Sequence, residues 1–409
     1  MARVRQLLSA EHIADPRAEV CLRLLDAGLR RRISKGDRIA VTACSRGIGG
    51  FIELLSGIVA AVRVSGGEPF LIPAMGSHGG ATAEGQAEVL RRLGVNDESV
   101  GTPVNATMET VELGESESGA MAHLDKFAAE ADGIIVLGRV KTHPESAEGL
   151  ASGLLKMVTV GLGKQRGAQE AHGHGLWKSV EAVPKLTLAK SKILFGVAVV
   201  ENAFRQPVRI EVVPADYEAF KDCDERLLKV AQPHVAKIPF DQLDLLVVDE
   251  IGKTISGSGM DLNVIGDWRV KGGKREPDFH RIVALSLTPG SLGNALGVGL
   301  ADFTTERLLD DFDPGATYIN LLTATEPDSM NTREGELPLA LPNDREAMEV
   351  ALYTALAGGA PRVCRIKSTA ALDEFWVSEG FLPAVEEKTN LRAIAPATAL
   401  DFDAAGNLF

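Results

Sequence analysis

Between residues 138 and 175 the chain reads GRVKTHPESAEGLASGLLKMVTVGLGKQRGAQEAHGHG, a run rich in side chains able to do chemistry. Lys156 sits in an otherwise apolar, glycine-rich stretch, with His143 before it and His172 and His174 after it. An ammonium is costly to bury unless it is paired or modified. A desolvated lysine is also a good nucleophile towards a carbonyl or thiocarbonyl carbon. Imidazoles move protons near neutral pH and bind metals. The segment thus combines the means to hold a cofactor, a metal and an acid–base group. Plainer readings stand beside these: Lys156 as a lysine snorkelling from a helix end, and Lys164 as a phosphate or surface contact. The His172-Gly-His174 pair reads as two metal ligands, or as one ligand with one bystander.

Two earlier loops carry similar promise. TACSRGIGG places Ser45, Gly47 and Arg46 in a small-residue turn before a helix. Backbone N–H groups there can cradle a phosphate, and a guanidinium forks onto a carboxylate or phosphate. AMGSHGGAT sets His78 between Ser77 and Gly79, as a general acid or base. In KTHPE, Pro144 keeps His143 extended, Lys141 can hold an anion and Glu145 can orient an imidazole. Read singly, each has a bland alternative in a tight turn, a helix entry or a charged surface loop. The chain holds no GxGxxG, Walker A, HExxH or GxSxG pattern. Asp249, Asp261 and Asp267 read more simply as strand-end or helix-capping residues than as ligands to a hard cation.

These loops need a frame to bring them together. Residues 37–43, 69–74, 133–137 and 193–200 read as buried strands, and 50–64 reads as a helix with an apolar face. Thr82 is placed to cap a helix that Gly94 would end. Such alternation implies an α/β fold with mainly parallel sheets and helices on both faces. In such folds ligands sit at the carboxyl ends of strands, where the loops after residues 43, 74 and 137 fall. Residues 243–249 open a second α/β unit, with strands expected at 282–287 and 317–322 and helices at 343–357 and 373–380. The expected division is a cofactor-binding catalytic domain, 1–240, and a C-terminal α/β domain, 241–409, with the active site in the cleft between them.

Bulk properties bound the function. A chain of 409 residues is too long for one ordinary core. Net charge is −13 with no long basic run, which argues against nucleic acid or an anionic membrane as partner. Four scattered cysteines without a CxxC argue against thiolate metal sites and disulfide frameworks. No apolar run reaches membrane-spanning length, and the N-terminus lacks a signal-peptide core. The expectation is a cytoplasmic enzyme; the sequence leaves its oligomeric state open.

Taken together, SRGI after a first strand, MGSHGG after a second, and KTH…LKM…GLGK…AH in a third segment resemble the nickel-pincer-nucleotide family typified by lactate racemase. The resemblance is strongest over residues 35–200. It implies a pyridinium mononucleotide whose two thio-acid arms hold nickel in a pincer, with one arm joined covalently to Lys156. It implies His172, with His174 as understudy, as the nickel ligand. His78 and His143 become acid–base partners on opposite substrate faces, and Arg46 the carboxylate clamp. Ser45, Gly47, Ser77, Gly79 and Lys164 are the remaining cofactor-contact candidates. The implied activity is racemase or epimerase: inversion at C2 of a 2-hydroxy acid through hydride transfer, with cofactor-biosynthesis proteins as partners. Alternatives are a redox or elimination enzyme using the same cofactor, a non-catalytic carrier, and an ordinary nucleotide-binding α/β protein. Departures also count. Ala43 stands where the family usually has an aspartate, and Ile265 and Gly266 where lactate racemase presents a Tyr–Gln pair. Arg269 is the candidate replacement for a lost lysine there, and a longer or more polar hydroxy acid, such as a sugar acid, is as well suited as lactate.

Overall fold

In the computed structural model, which describes residues 1–141, 152–324, 331–355 and 358–408, the first strand does not belong with the residues that follow it. Strand β1 (Ala2–Gln6) pairs antiparallel with two strands from the far end of the chain. One compact unit is built on Ala10–Val235; the other is built on Met1–Ser9 with Ala236–Leu321 and the C-terminal part. The expected division at 240 therefore differs at both ends of the first domain. β1 has its hydrogen-bonding partners and its buried face, Ala2 and Val4, in the second unit.

The first unit holds a five-stranded sheet in the order β3-β2-β6-β7-β8. Its members are β2 (Arg38–Ala43), β3 (Glu68–Pro73), β6 (Gly133–Arg139), β7 (Ile193–Glu201) and β8 (Pro207–Pro214), with β4 (Thr110–Glu115) and β5 (Met121–Asp125) forming a separate hairpin. All neighbours in the sheet are parallel except β8, which runs against β7. Successive side chains of a strand face opposite ways. Accordingly Ile39, Val41, Leu71, Ile135 and Leu137 pack on one face, against helices Pro16–Asp26 and Phe51–Val64. Ala40, Phe70, Ile72, Ile134 and Val136 pack on the other, with Leu154, Leu155, Val158 and Phe220. Both faces are buried, as parallel sheets require. Thr82 caps helix Ala83–Arg92 by accepting from Gly85 N–H at 3.0 Å, as expected.

The second unit is one eight-stranded sheet, ordered β12-β11-β10-β9-β13-β14-β1-β15. Strands β9 (Gln242–Ile251), β10 (Asp278–Leu287), β11 (Phe303–Thr305), β12 (Leu339–Leu341) and β13 (Val363–Ser368) are parallel; β14 (Ala371–Val377), β1 and β15 (Leu391–Ala395) are antiparallel. Two expectations are corrected here. Residues 317–322 lie in the helix Pro314–Ala324, not a strand. Asp313 accepts from Ala316 N–H at 3.0 Å with Pro314 in the first turn, a helix start that outweighs the β-favouring Thr-Tyr-Ile run. The short helix expected at 373–380 is mostly strand β14, because Ser368 pairs with Ala371 across a tight hairpin and Leu372, Phe375 and Val377 face the core. The expected helix at 343–357 is present as Asp344–Ala355.

Candidate active site at a strand-end rim

The carboxyl ends of β2, β3 and β6 deliver their loops to one pocket of about 150 Å³ within the first unit. It is lined by Ser45, Arg46 and Gly47 from the first loop and His78 from the second. Lys141 and Lys156 come from the third segment. Six of the residues singled out from sequence thus share one cavity. His143 lies outside the described residues, two positions beyond Lys141, which exchanges both backbone hydrogen bonds with Ser152 at 3.0 and 3.1 Å.

The first loop owes its shape to close chain approach. A Cβ at Gly49 would lie 1.8 Å from the Arg205 carbonyl oxygen, so only glycine fits. The Gly49 N–H donates to Glu201 Oε2 at 2.8 Å, so this amide is not available to cradle a phosphate. Glu201 also ion-pairs with Arg139, which lines the pocket. Arg205 reaches back to donate to the Arg46 carbonyl oxygen at 2.9 Å. Cys44 also lines the cavity, and burial raises its thiol above the usual range.

Lys156 ends the helical turn Leu154–Lys156, which continues as a π-helical turn, Met157–Gly161. Such wide turns cluster at functional sites. Leu154, Leu155 and Val158 face the core at 0–1% exposure, while Lys156, Met157 and Val160 line the pocket. The Lys156 ammonium lies 5.3 Å from the centre of the Trp177 ring, within cation–π range. The start of the turn is held by Asp224, whose carboxylate accepts from Leu154 and Leu155 N–H at 2.9 and 3.0 Å. Burial pushes this carboxyl up to about 7, against the opposing pull of the two N–H donors.

His172 and His174 part company. His172 sits at the end of helix Lys164–Gly173, and its Nδ1 is buried with no hydrogen-bond partner among the described residues. Burial, aided by the charge of Lys156, holds the ring down to about 4, so it is neutral at pH 7. His174 is exposed and turns its Nδ1 to the Glu170 carbonyl oxygen at 3.0 Å.

The structure corrects the reading of Lys164 as a cofactor contact. It is 0% exposed, and its ammonium has three partners: Pro73 O at 2.7 Å, Gln86 Oε1 at 2.6 Å and Asp125 Oδ2 at 3.4 Å. Ser77 and Gly79 are not among the residues lining the pocket. A Cβ at Gly79 would meet the backbone of Gly85 at 2.5 Å, so this glycine serves packing against the next helix. In the second unit, Arg269 is 2% exposed and donates to the Leu300 and Phe279 carbonyl oxygens at 3.0 and 2.6 Å. Burial pulls it down to about 10, and it is not poised to meet a substrate.

Asp224 and Gln86 escaped the sequence reading, yet both left a signal. Asp224 falls in the apolar stripe Phe220, Cys223, Leu227, Leu228 of its helix, and Gln86 shares a buried face with Leu90. A polar residue on the core face of an amphipathic helix must have a partner waiting.

Residues 44–183 match the family described as the lactate racemase N-terminal domain. The fold is similar to that of the lactate racemase apoprotein from Thermoanaerobacterium thermosaccharolyticum, with TM-score 0.50 and 10% identity over 90% of this chain and 93% of that one. No curated protein sequence matches the chain. Among the described residues no cluster of three or more His, Cys, Asp or Glu could hold a bare metal ion, and no helix is long and apolar enough to cross a membrane. The pocket is built largely from the segment that the lactate racemase N-terminal domain model covers, and the fold as a whole is similar to that of the lactate racemase apoprotein.

Proposed function

We propose that the chain is an isomerase, a racemase or epimerase inverting C2 of a 2-hydroxy acid with a nickel-pincer nucleotide. The observation that carries this reading is one pocket lined by Arg46, His78 and Lys156, with the Lys156 charge bearing on a buried, neutral His172.

The residues fit the cofactor. A metal that arrives inside an organic ligand needs few protein donors, and His172 offers a neutral imidazole with an unpartnered buried nitrogen. Lys156 would form the covalent tether from a pocket wall with an apolar core behind it. Met157 and Val160 line the cavity beside the lysine and limit water there.

When bound, the nucleotide supplies the place where the C2 hydride is held during inversion. The chain does the rest. Arg46 clamps the substrate carboxylate by a charge-assisted fork. His78 and His143 would be the acid–base pair: one would take the substrate hydroxyl proton and the other would return a proton to that oxygen, while the bound group would supply the hydride chemistry at C2. Each acid–base partner is worth about 10²–10⁴-fold in rate.

The test is intact mass of the native and denatured protein, with peptide mapping, from a host that makes the cofactor. A Lys156 adduct with nickel in the native species supports the reading. Absence of both, with lactate racemase loaded in the same host as control, rejects it.

A further inference from the structure

His78 rides on a loop that is poor at holding its own shape. Gly76, Gly79 and Gly80 all have positive φ, at 59°, 68° and 64°. Glycine-rich backbone has more freedom to lose than any other, so a fixed imidazole here needs outside ties. The backbone supplies some, from His78 N–H to Met75 O at 3.2 Å and Ala81 N–H to Ser77 O at 3.0 Å. Further ties come from one buried amide. Gln86, 0% exposed, donates from Nε2 to Gly76 O at 2.8 Å and to His78 O at 3.3 Å.

That amide is itself locked. Its Oε1 accepts from the Lys164 ammonium at 2.6 Å, and the same ammonium donates to Pro73 O at 2.7 Å, where the strand gives way to the loop. Asp125 neutralises Lys164 from 3.4 Å while accepting from Phe127 and Ala128 N–H at 2.8 and 3.2 Å. Lys164 is also the first residue of the helix that carries His172 in its last turn. One ammonium and one amide therefore grip the His78 loop at Pro73, Gly76 and His78, and join it to the root of the His172 helix.

We infer that Gln86, oriented by Lys164, is a positioning residue for His78 and sets its register against the His172 helix. The geometry of the grip stands on its own; its catalytic meaning rests on the function proposed above. Gln86 is not among the residues lining the pocket and acts through the loop backbone.

Gln86→Leu removes the grip, and Gln86→Glu keeps the acceptor for Lys164 but turns a carboxylate towards two carbonyl oxygens. The first readout uses cofactor-free protein with ¹³C-ring-labelled histidine. The His78 signal is assigned by its loss in His78→Asn, and His280 of the second unit is the internal standard. Both variants are expected to shift or broaden the His78 signal, leave His280 unchanged and still unfold cooperatively. In the loaded enzyme kcat falls about 10²-fold with KM nearly unchanged, the signature of a displaced catalytic group. A His78 signal identical to wild type in both variants overturns the inference, whatever the activity. A displaced His78 signal in a protein whose His78→Ala variant keeps full activity leaves the positioning standing and rejects the two-histidine mechanism instead. Should Gln86→Leu fail to fold, the isosteric Gln86→Glu carries the same test.

Discussion

The Lys156 region and the Lys164 region are near neighbours in sequence, in the similar settings GLLKM and GLGKQ, and they resolve the cost of a lysine in opposite ways. Lys164 is entirely buried and gathers three acceptors supplied by residues 73, 86 and 125. Lys156 faces a cavity and the ring of Trp177. The first ammonium is structural because its donors are spent; the second borders the space where a ligand would sit. Apolar surroundings alone therefore say that a lysine is unusual, and only its acceptors say what it is for.

The largest effect expected from this contrast is on stability. Lys164→Met should cost about 3–5 kcal/mol in urea denaturation, because it strands the buried Asp125 carboxylate. Lys156→Met should cost about 1 kcal/mol or less. Equal costs would erase the distinction between the two regions. Next comes activity on the true substrate. His78→Ala should lose about 10²–10⁴-fold in kcat, and Lys156→Met should lose the mass adduct altogether. Full activity in both His78→Ala and His143→Ala would reject the two-base scheme.

A smaller effect sharpens the Lys156 side. Asp224 has its folded value raised from 3.8 to about 7, so the folded protein binds a proton that the unfolded chain has released. Its contribution to stability is therefore full below about pH 4 and is lost as pH rises through about 7. Asp224→Asn forfeits one of two backbone acceptances, a cost of about 1–3 kcal/mol. The gap between wild type and this variant should narrow from pH 4 to pH 7.5 in urea melts; a pH-independent gap would mean that the carboxyl titrates normally. The smallest effect belongs to His174→Ala, expected within about 0.5 kcal/mol of wild type in stability and with nickel retained. His172→Ala should lose the metal. The reverse result would exchange their assignments.

How far the sequence could be read follows from where each residue finds its partners. The rim loops were legible because small residues at or beside the strand ends, Ala43, Ala74 and Gly138, announce turns at the carboxyl ends of parallel strands. The helix at Pro314 was legible in principle from Asp-Pro but was outvoted by a β-branched run. Lys164 was misread because Pro73, Gln86 and Asp125 reach it across long stretches of chain, and no local pattern encodes such a meeting. Asp224 was passed over for the same reason, since Leu154 and Leu155, whose N–H groups it accepts, lie on another element. Arg46, His78 and Lys156, singled out from their loops, line one pocket, whereas Lys164, read as a phosphate or surface contact, is sealed in the core.

Strand β1 has a consequence for how the protein is made. It is synthesised before the other strands of both sheets, yet Ala2 pairs with Val377 and Gln6 with Leu391, which follow hundreds of residues later. Between them the chain must complete an entire other unit, built on Ala10–Val235. That unit can gather its own sheet while synthesis continues, as domains generally fold as units. The second sheet has to wait with an orphan strand in hand. Pairings this distant in sequence are slow to form, so the last step of folding should be the return of the first residues to close the sheet between β14 and β15.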